Sequence, residues 1–180
     1  MWGTVLKRDL LGETREEDKF RSKEQLKEYL MSETEKQGEN VVIRNLDVSL
    51  VEDLSKLFYV IGNEVKTLDL SGWKTSNVKN MSSIFYGCYN LKSLNLSGWK
   101  TPNVKDMAWM FGDCKNLESL DLSGWDTSNV KDMRWMFCDC YSLKSLDLSG
   151  WDTHNVWYMD NMFRDCPAPY EVVNKKIIKK

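Results

Sequence analysis

Basic residues are not in excess. Lys+Arg 25 against Asp+Glu 27 leaves a formal charge of −2 over 180 residues, whereas a nucleic-acid-binding domain shows a basic surplus. No apolar run approaches the roughly 18 residues that a membrane-spanning helix needs, so no membrane insertion is expected. The opening stretch MWGTVLKRDLLGETREED holds no apolar core of signal-peptide length. The chain as it stands is therefore expected in the cytoplasm; as a fragment of an exported protein it would lie at the cell surface. A single histidine, His154, leaves almost no means for Ser-His or Cys-His catalysis or for a histidine-based zinc site. It occupies a turn column otherwise filled by Ser or Pro. Neither a Gly-rich phosphate loop nor a nucleophile elbow is present. The chain reads as non-catalytic, with no cofactor and no metal.

What is plentiful is eight Trp, nine Met and five Cys, and a repeat explains most of them. From Leu68, LDLSGWKTSNVKNMSSIFYGCYNLKS recurs every 26 residues, restarting at Leu94, Leu120 and Leu146, with eleven columns identical in all four copies. A fainter copy runs from Val41 to Thr67, with one extra residue after Ile61. There Asn45 takes the Gly column, Leu46 the Trp column, Val51 the Val column, Leu54 the Met column and Ile61 the Cys column.

Each copy divides into two halves. In LxxLxL, leucines at alternating positions predict a short strand. Gly72, Gly98, Gly124 and Gly150 are predicted to need positive φ, because Asn, the next-best residue there, replaces Gly in the first copy. Apolar positions then fall three and four apart (Val130, Met133, Met136, Phe137, Cys140), which predicts a short helix with Thr127 and its counterparts as N-caps. A unit this small cannot bury its own apolar face, so copies must stack. Parallel strands about 4.8 Å apart would give five coils a length of about 24 Å, with right-handed crossovers. The expected fold is α/β: a leucine-rich-repeat-like right-handed solenoid of about five strand-plus-short-helix coils with an N-terminal capping helix.

The motif LxxLxLSGWDTSNVxxMxxMFxxCxxL resembles the 26-residue repeat of bacterial BspA-like leucine-rich-repeat surface proteins over residues 41–171. KEQLKEYL followed by NVVIRNLDVSLVEDLSKLF is similar to that family's lead-in. The resemblance implies a non-catalytic recognition protein, tied in the family to adhesion or host contact.

The expected division is a cap over residues 1–40, a repeat array over 41–171 (coils 41–67, 68–93, 94–119, 120–145 and 146–171), and a C-terminal piece over 172–180. In the cap, Ser22-Lys23-Glu24-Gln25 has capping-box form and predicts a helix over about 22–36, with Val5-Leu6 and Leu10-Leu11 as a looser extension. At the other end Trp157-Tyr158 replace a Lys-polar pair and Pro167 stops the pattern. Val172 falls in the Leu column, which predicts a last edge strand over 170–174. Lys175, Lys176, Lys179 and Lys180 would guard it.

Identical columns build the scaffold; varied columns are candidates for contact. The Trp73, Trp99, Trp125 and Trp151 column and the Cys88, Cys114, Cys140 and Cys166 column read as core. Cys138 shares a column with Tyr86, Gly112 and Arg164 and reads as an exposed thiol, which suits a reducing compartment. Two sets stand out as partner-binding candidates. Asp69, Asn95, Asp121 and Asp147 should project outward as one row. They are either solvated beside Lys66, Lys92 and Lys144, or a docking strip for a basic partner; a calcium site is a third, weaker reading. Trp109 and Trp135 should stack near the surface, either as a binding hot spot or as packing under Lys105 and Lys131. The turn column Lys74, Lys100, Asp126, Asp152 reverses sign along the array. The function expected is recognition of a protein partner through the sheet face or the Trp pair. The alternative is an intracellular inhibitor or immunity-type protein that blocks a partner enzyme.

Overall fold

The computed structural model describes residues 19–59, 61–173 and 176–179. The looser extension at Val5-Leu6 and Leu10-Leu11 lies outside them, as do Lys175 and Lys180. The described chain is mixed α/β, with one helix and small sheets of mostly parallel strands. In order it runs α1 (Lys23–Gln37), β1 (Asn40–Val42), β2 (Thr67–Asp69), β3 (Ser93–Asn95), β4 (Ser119–Asp121), β5 (Ser145–Asp147), β6 (Tyr170–Val173) and β7 (Lys176–Lys179).

α1 begins where the capping signal places it. The Ser22 hydroxyl accepts from the Gln25 N–H at 3.2 Å, and Gln25 Oε1 accepts from the Arg21 N–H at 3.0 Å. The reciprocal bond thus reaches one residue further back than the standard capping box. Gly38 ends the helix at φ 68°. Leu26 and Leu30 point into the core, and Lys23 Nζ meets Asp53 Oδ2 at 2.9 Å, so the helix lies against the first repeat.

β1, β2 and β3 pair parallel, with Val41 opposite Leu68 and Leu68 opposite Leu94; β4 and β5 pair the same way, Leu120 opposite Leu146. Successive repeats therefore lie side by side in the register of the sequence period. The Leu at the centre of each strand is buried and its neighbours face outward, the alternation expected of a sheet with one covered face. Asn45 adopts φ 57°, as do Gly72 at 74° and Gly98 at 86°. Gly124 and Gly150 do not enter the left-handed region. Gly150 is needed for a different reason: a Cβ there would come within 2.7 Å of the Ser123 carbonyl oxygen.

The second half of each repeat differs from the helix that the apolar spacing predicts. It forms consecutive turns, closed by bonds such as Val78 N–H to Thr75 O, Ile84 N–H to Met81 O and Cys88 N–H to Phe85 O. Each such bond spans three residues, so apolar positions can recur at helix-like spacing without a helix. Other N–H groups are spent sideways, those of Met81, Ser83, Phe85 and Gly87 on the next repeat and those of Lys79 and Asn80 on the preceding one. Thr127 does not cap a helix either: its Oγ1 donates to the Asp152 carbonyl at 2.9 Å and accepts from the Asp152 N–H at 2.9 Å. A ladder of parallel bridges links Asp53, Asn80, Asp106, Asp132 and Tyr158 across all five repeats.

On the strand side the ladder is interrupted between β3 and β4, which belong to separate sheets. The indoles of Trp73, Trp99 and Trp151 each donate to a carbonyl of the preceding repeat (Ile43, Leu70 and Leu122). Trp125, at the interruption, makes no such bond among the described residues. The core otherwise reads along the array: Phe58, Phe85, Phe111, Phe137 and Phe163 stack with centroids 5.0 to 5.5 Å apart.

The C-terminal piece is not a lone edge strand. β6 turns back and pairs antiparallel with β7, Val172 opposite Ile177, so Val172 does not continue the Leu column and Lys176 and Lys179 stand in a paired strand. The two Pro at 167 and 169 break the repeat before its next strand, and Tyr170 stacks on Phe163 at 6.1 Å. No helix among the described residues is long and apolar enough to cross a membrane.

Candidate functional site

The outward row on the strands is present, and each member has a local task. The Oδ1 atoms of Asp69, Asn95, Asp121 and Asp147 accept from the N–H two residues on (Ser71, Ser97, Ser123 and Ser149) at 2.9 to 3.1 Å. These Asx turns bend the chain out of each strand, and a carboxylate is not required for them, since Asn95 does the same. Asp69 is also clamped by Arg44, with Nε at 2.7 Å and a terminal nitrogen at 2.6 Å. Burial raises its carboxyl, but Arg44 and the Ser71 N–H and hydroxyl outweigh that and hold it below the usual range. The Ser123 N–H and hydroxyl lower Asp121 likewise. Asn95, Asp121 and Asp147 are exposed and line an open depression of about 460 Å³ with Leu94, Leu120 and Ser145. The depression sits where the β3–β4 pairing is missing.

The Trp pair is a second feature on the turn side. Trp109 and Trp135 stack with centroids 4.9 Å apart and planes within 6°; both are half-buried. The stack is longer than its sequence column. Tyr86 meets Trp109 edge-on at 5.5 Å, Tyr59 stacks on Tyr86 at 6.3 Å, and the Arg164 guanidinium lies 5.5 Å over Trp135. Tyr59, Tyr86 and Arg164 share one repeat column, a signal legible in the sequence that points to them. In that same column a Cβ on Gly112 would lie 2.9 Å from Trp109 Cε3, so the glycine leaves room for the ring. Lys105 and Lys131 do not cover the pair with cation–π contacts: Lys131 lies over Trp157 instead, 5.3 Å from its centroid.

The backbone under this column is unusual. Lys56, Ser83, Trp109, Trp135 and Asn161 all have φ between 55° and 59°. A left-handed backbone disfavours a bulky side chain by roughly 1–2 kcal/mol. Ser and Asn tolerate the position more easily, so the indoles are the residues least suited to it.

Cys138 is buried at 1% exposure, not exposed. Its column reaches the surface only with a long side chain: Arg164 is exposed and Tyr86 half-buried, whereas Gly112 is covered. Burial, with the Asp139 carboxylate 3.0 Å from Sγ, pushes its thiol up to about 12. His154, exposed, places Nδ1 2.6 Å from Asp152 Oδ1 within one turn. Of the other turn-column charges, Asp126 accepts from Ser128 within its own turn, while Lys74 pairs with Asp47 of the preceding repeat. The described residues contain no cluster of three His, Cys, Asp or Glu side chains placed to hold a metal ion.

Comparison with curated proteins and with solved structures gives no match. A family model does match, over residues 25–117 and again over 52–176, the two placements overlapping as expected when a repeat fits in more than one register. The chain belongs to the family described as Mycoplasma protein of unknown function, DUF285.

Proposed function

We propose that the chain is a right-handed solenoid of leucine-rich-repeat type, related to BspA-like repeat proteins, and that it is a non-catalytic module recognising a protein partner. The observation that carries this reading is the Trp109–Trp135 stack. Three of five repeats fill the same left-handed position with Lys, Ser or Asn, so the scaffold does not require indoles there. Tryptophan is among the residues enriched at the energetic hot spots of protein interfaces. The open depression on the strand side, with Asp121 and Asp147 at its rim, offers a second contact for basic groups of the same partner.

The test is affinity capture from native lysate with the intact chain and two variants, Trp109→Ser/Trp135→Asn and Asp121→Asn/Asp147→Asn. Both use residues that the repeat already carries in those columns, so folding is preserved. Loss of a specific captured protein with the first variant supports the reading. Undiminished capture by both variants overturns this choice of faces, and a catalytic activity abolished by His154→Ala would overturn the non-catalytic assignment.

A further inference from the structure

The turns that leave the strands come in two forms. Asn45, Gly72 and Gly98 are left-handed, at φ 57°, 74° and 86°, whereas Gly124 and Gly150 are not. Where two left-handed turns are neighbours, the first donates its N–H to the second: Asn45 to the Ser71 carbonyl and Gly72 to the Ser97 carbonyl, both at 2.8 Å. Gly98 has the conformation of a donor, but the turn beyond it, at Gly124, has the other form. Among the described residues the Gly98 N–H has no acceptor. Neither has the Leu96 N–H, although Leu70 and Leu122 in its column donate to Asn95 and Asp147 at 3.0 and 3.3 Å. The change of turn form thus coincides with the break between β3 and β4.

Other contacts fail at the same seam. The Trp125 indole lacks the carbonyl bond that Trp99 and Trp151 make, and Thr101 lacks the N–H that Thr75 and Thr127 accept. No buried side-chain nitrogen or oxygen among the described residues is without a partner, so the Trp125 N–H is open to water. At the entry to the strands one bond survives: Glu118 N–H reaches the Lys92 carbonyl at 3.4 Å, against 2.7 to 3.1 Å for Lys66, Lys92 and Lys144 in its column. On the turn side the seam is closed. Met107, Trp109, Phe111 and Asp113 donate to Asp132, Arg134, Met136 and Cys138 at 2.8 to 2.9 Å, and Trp109 stacks on Trp135. The gap is therefore a wedge, widest where the strands end.

We propose that this seam is a clasp with two forms: the open one seen here, and a closed one in which Gly124, with Gly150 behind it, takes the left-handed turn of Gly98 and β3 pairs with β4. Nothing in the open form asks for glycine at 124, since its φ is not left-handed and a Cβ there would meet nothing within 4 Å. In the closed form Gly124 lies on Gly98 as Gly98 lies on Gly72, where a Cβ would come within 3.2 Å of Gly72 Cα. Glycine takes either sign of φ at little cost, so a local rotation supplies the missing acceptors. The Ser123 carbonyl meets the Gly98 N–H, the Asp121 carbonyl the Leu96 N–H, and the Leu96 carbonyl the Trp125 indole. Donors that face water in the open form are not stranded there, so neither form carries the penalty of a buried unpaired group. Closing to the ordinary strand spacing of about 4.8 Å shrinks the depression lined by Asn95 and Asp121. The clasp thus controls how that face is presented, whatever is bound there.

The experiment measures hydrogen exchange in the full chain at the Leu96 and Gly98 amides and the Trp125 indole, with the Leu70 and Gly72 amides as references. Gly124→Ala fits the open form and opposes the closed one. It should speed exchange at the three seam protons by about twofold or more, the value for two equally populated forms, and leave the references unchanged. A D-alanine in place of Gly124, introduced by ligating a synthetic segment of residues 114–180 at Cys114, favours positive φ. It should slow the same three protons about tenfold. Equal exchange in the native chain and in Gly124→Ala means that the closed form is not visited, and overturns the proposal. So does native exchange at Leu96 and Gly98 already as slow as at Leu70 and Gly72, a D-alanine chain that leaves them unprotected, or unfolding caused by Gly124→Ala.

Discussion

The Trp109 and Trp135 indoles lie parallel, 4.9 Å apart, on backbones that both have φ 59°. Two opposing energies meet in that pair. An aromatic stack contributes about 0.5–1.5 kcal/mol beyond its buried area, and the left-handed backbone costs each of the two indoles about 1–2 kcal/mol, which offsets the stack and part of the burial. Trp109→Ser/Trp135→Asn should therefore shift the melting temperature by only a few degrees while removing partner binding. Thermal denaturation beside the capture experiment checks it. A collapse of stability would make the pair structural.

All five cysteines are buried and none is in a disulfide, and Cys138 is pushed up to about 12 by burial and then by Asp139. Because the thiolate is the reactive form, the native chain should label slowly with a thiol reagent at neutral pH, Cys138 included. In denaturant all five should react. Fast labelling of one thiol in the native state would contradict the burial.

Thr75, Thr101 and Thr127 are buried in equivalent positions and each donates to a carbonyl of the next repeat. Thr75 and Thr127 also accept from the next repeat's N–H, of Lys100 and Asp152. Thr101, which faces the interruption between β3 and β4, has no such second bond among the described residues. Valine at 75 or 127 should each cost about 1–3 kcal/mol by stranding both groups, and Thr101→Val less. Urea unfolding of the three variants gives the order directly.

Asp47 is buried, and burial alone would raise its carboxyl. Hydrogen bonds from the Ser49 hydroxyl and N–H and from Lys74 prevail and hold it below its usual range. A carboxyl lowered in the folded state adds stability above its unfolded value and loses it as pH falls through the folded one. The stability gap between the native chain and Asp47→Asn should be full at neutral pH and close below about pH 4. A gap that persists into strong acid would show that the ionised form is not what matters.

Much of the scaffold can be read before folding is considered. The four strong copies fix the strand register, and the fainter copy, with its extra residue, fixes the offset of β1 against β2. The substitution of Asn45 for Gly identifies a left-handed residue, and the capping signal at Ser22 starts α1. These are local or periodic properties, carried by each residue's own stereochemistry and by a repeated apolar pattern.

Other features depend on what lies alongside. Apolar positions three and four apart suit both a helix and a chain of turns. The choice between them follows from where the other N–H groups find acceptors, here in the neighbouring repeats. The burial of Cys138 follows from the height of its neighbours in the column, so a residue's column alone misplaces it. The outward Asp row is visible in sequence, while the Asx turns that occupy it, the break beside Asp121 and the clamp of Arg44 on Asp69 arise from backbone geometry.

The sequence by itself determined that this chain stacks 26-residue units in register, because identical columns bury the same face each time. The tertiary structure alone decided that, from Met107 to Asp113 and from Met133 to Asp139, alternate N–H groups all donate to the next repeat, while Lys105 and Lys131 just upstream donate to the preceding one. Those directions depend on the orientation of whole peptide planes, which no side-chain pattern encodes.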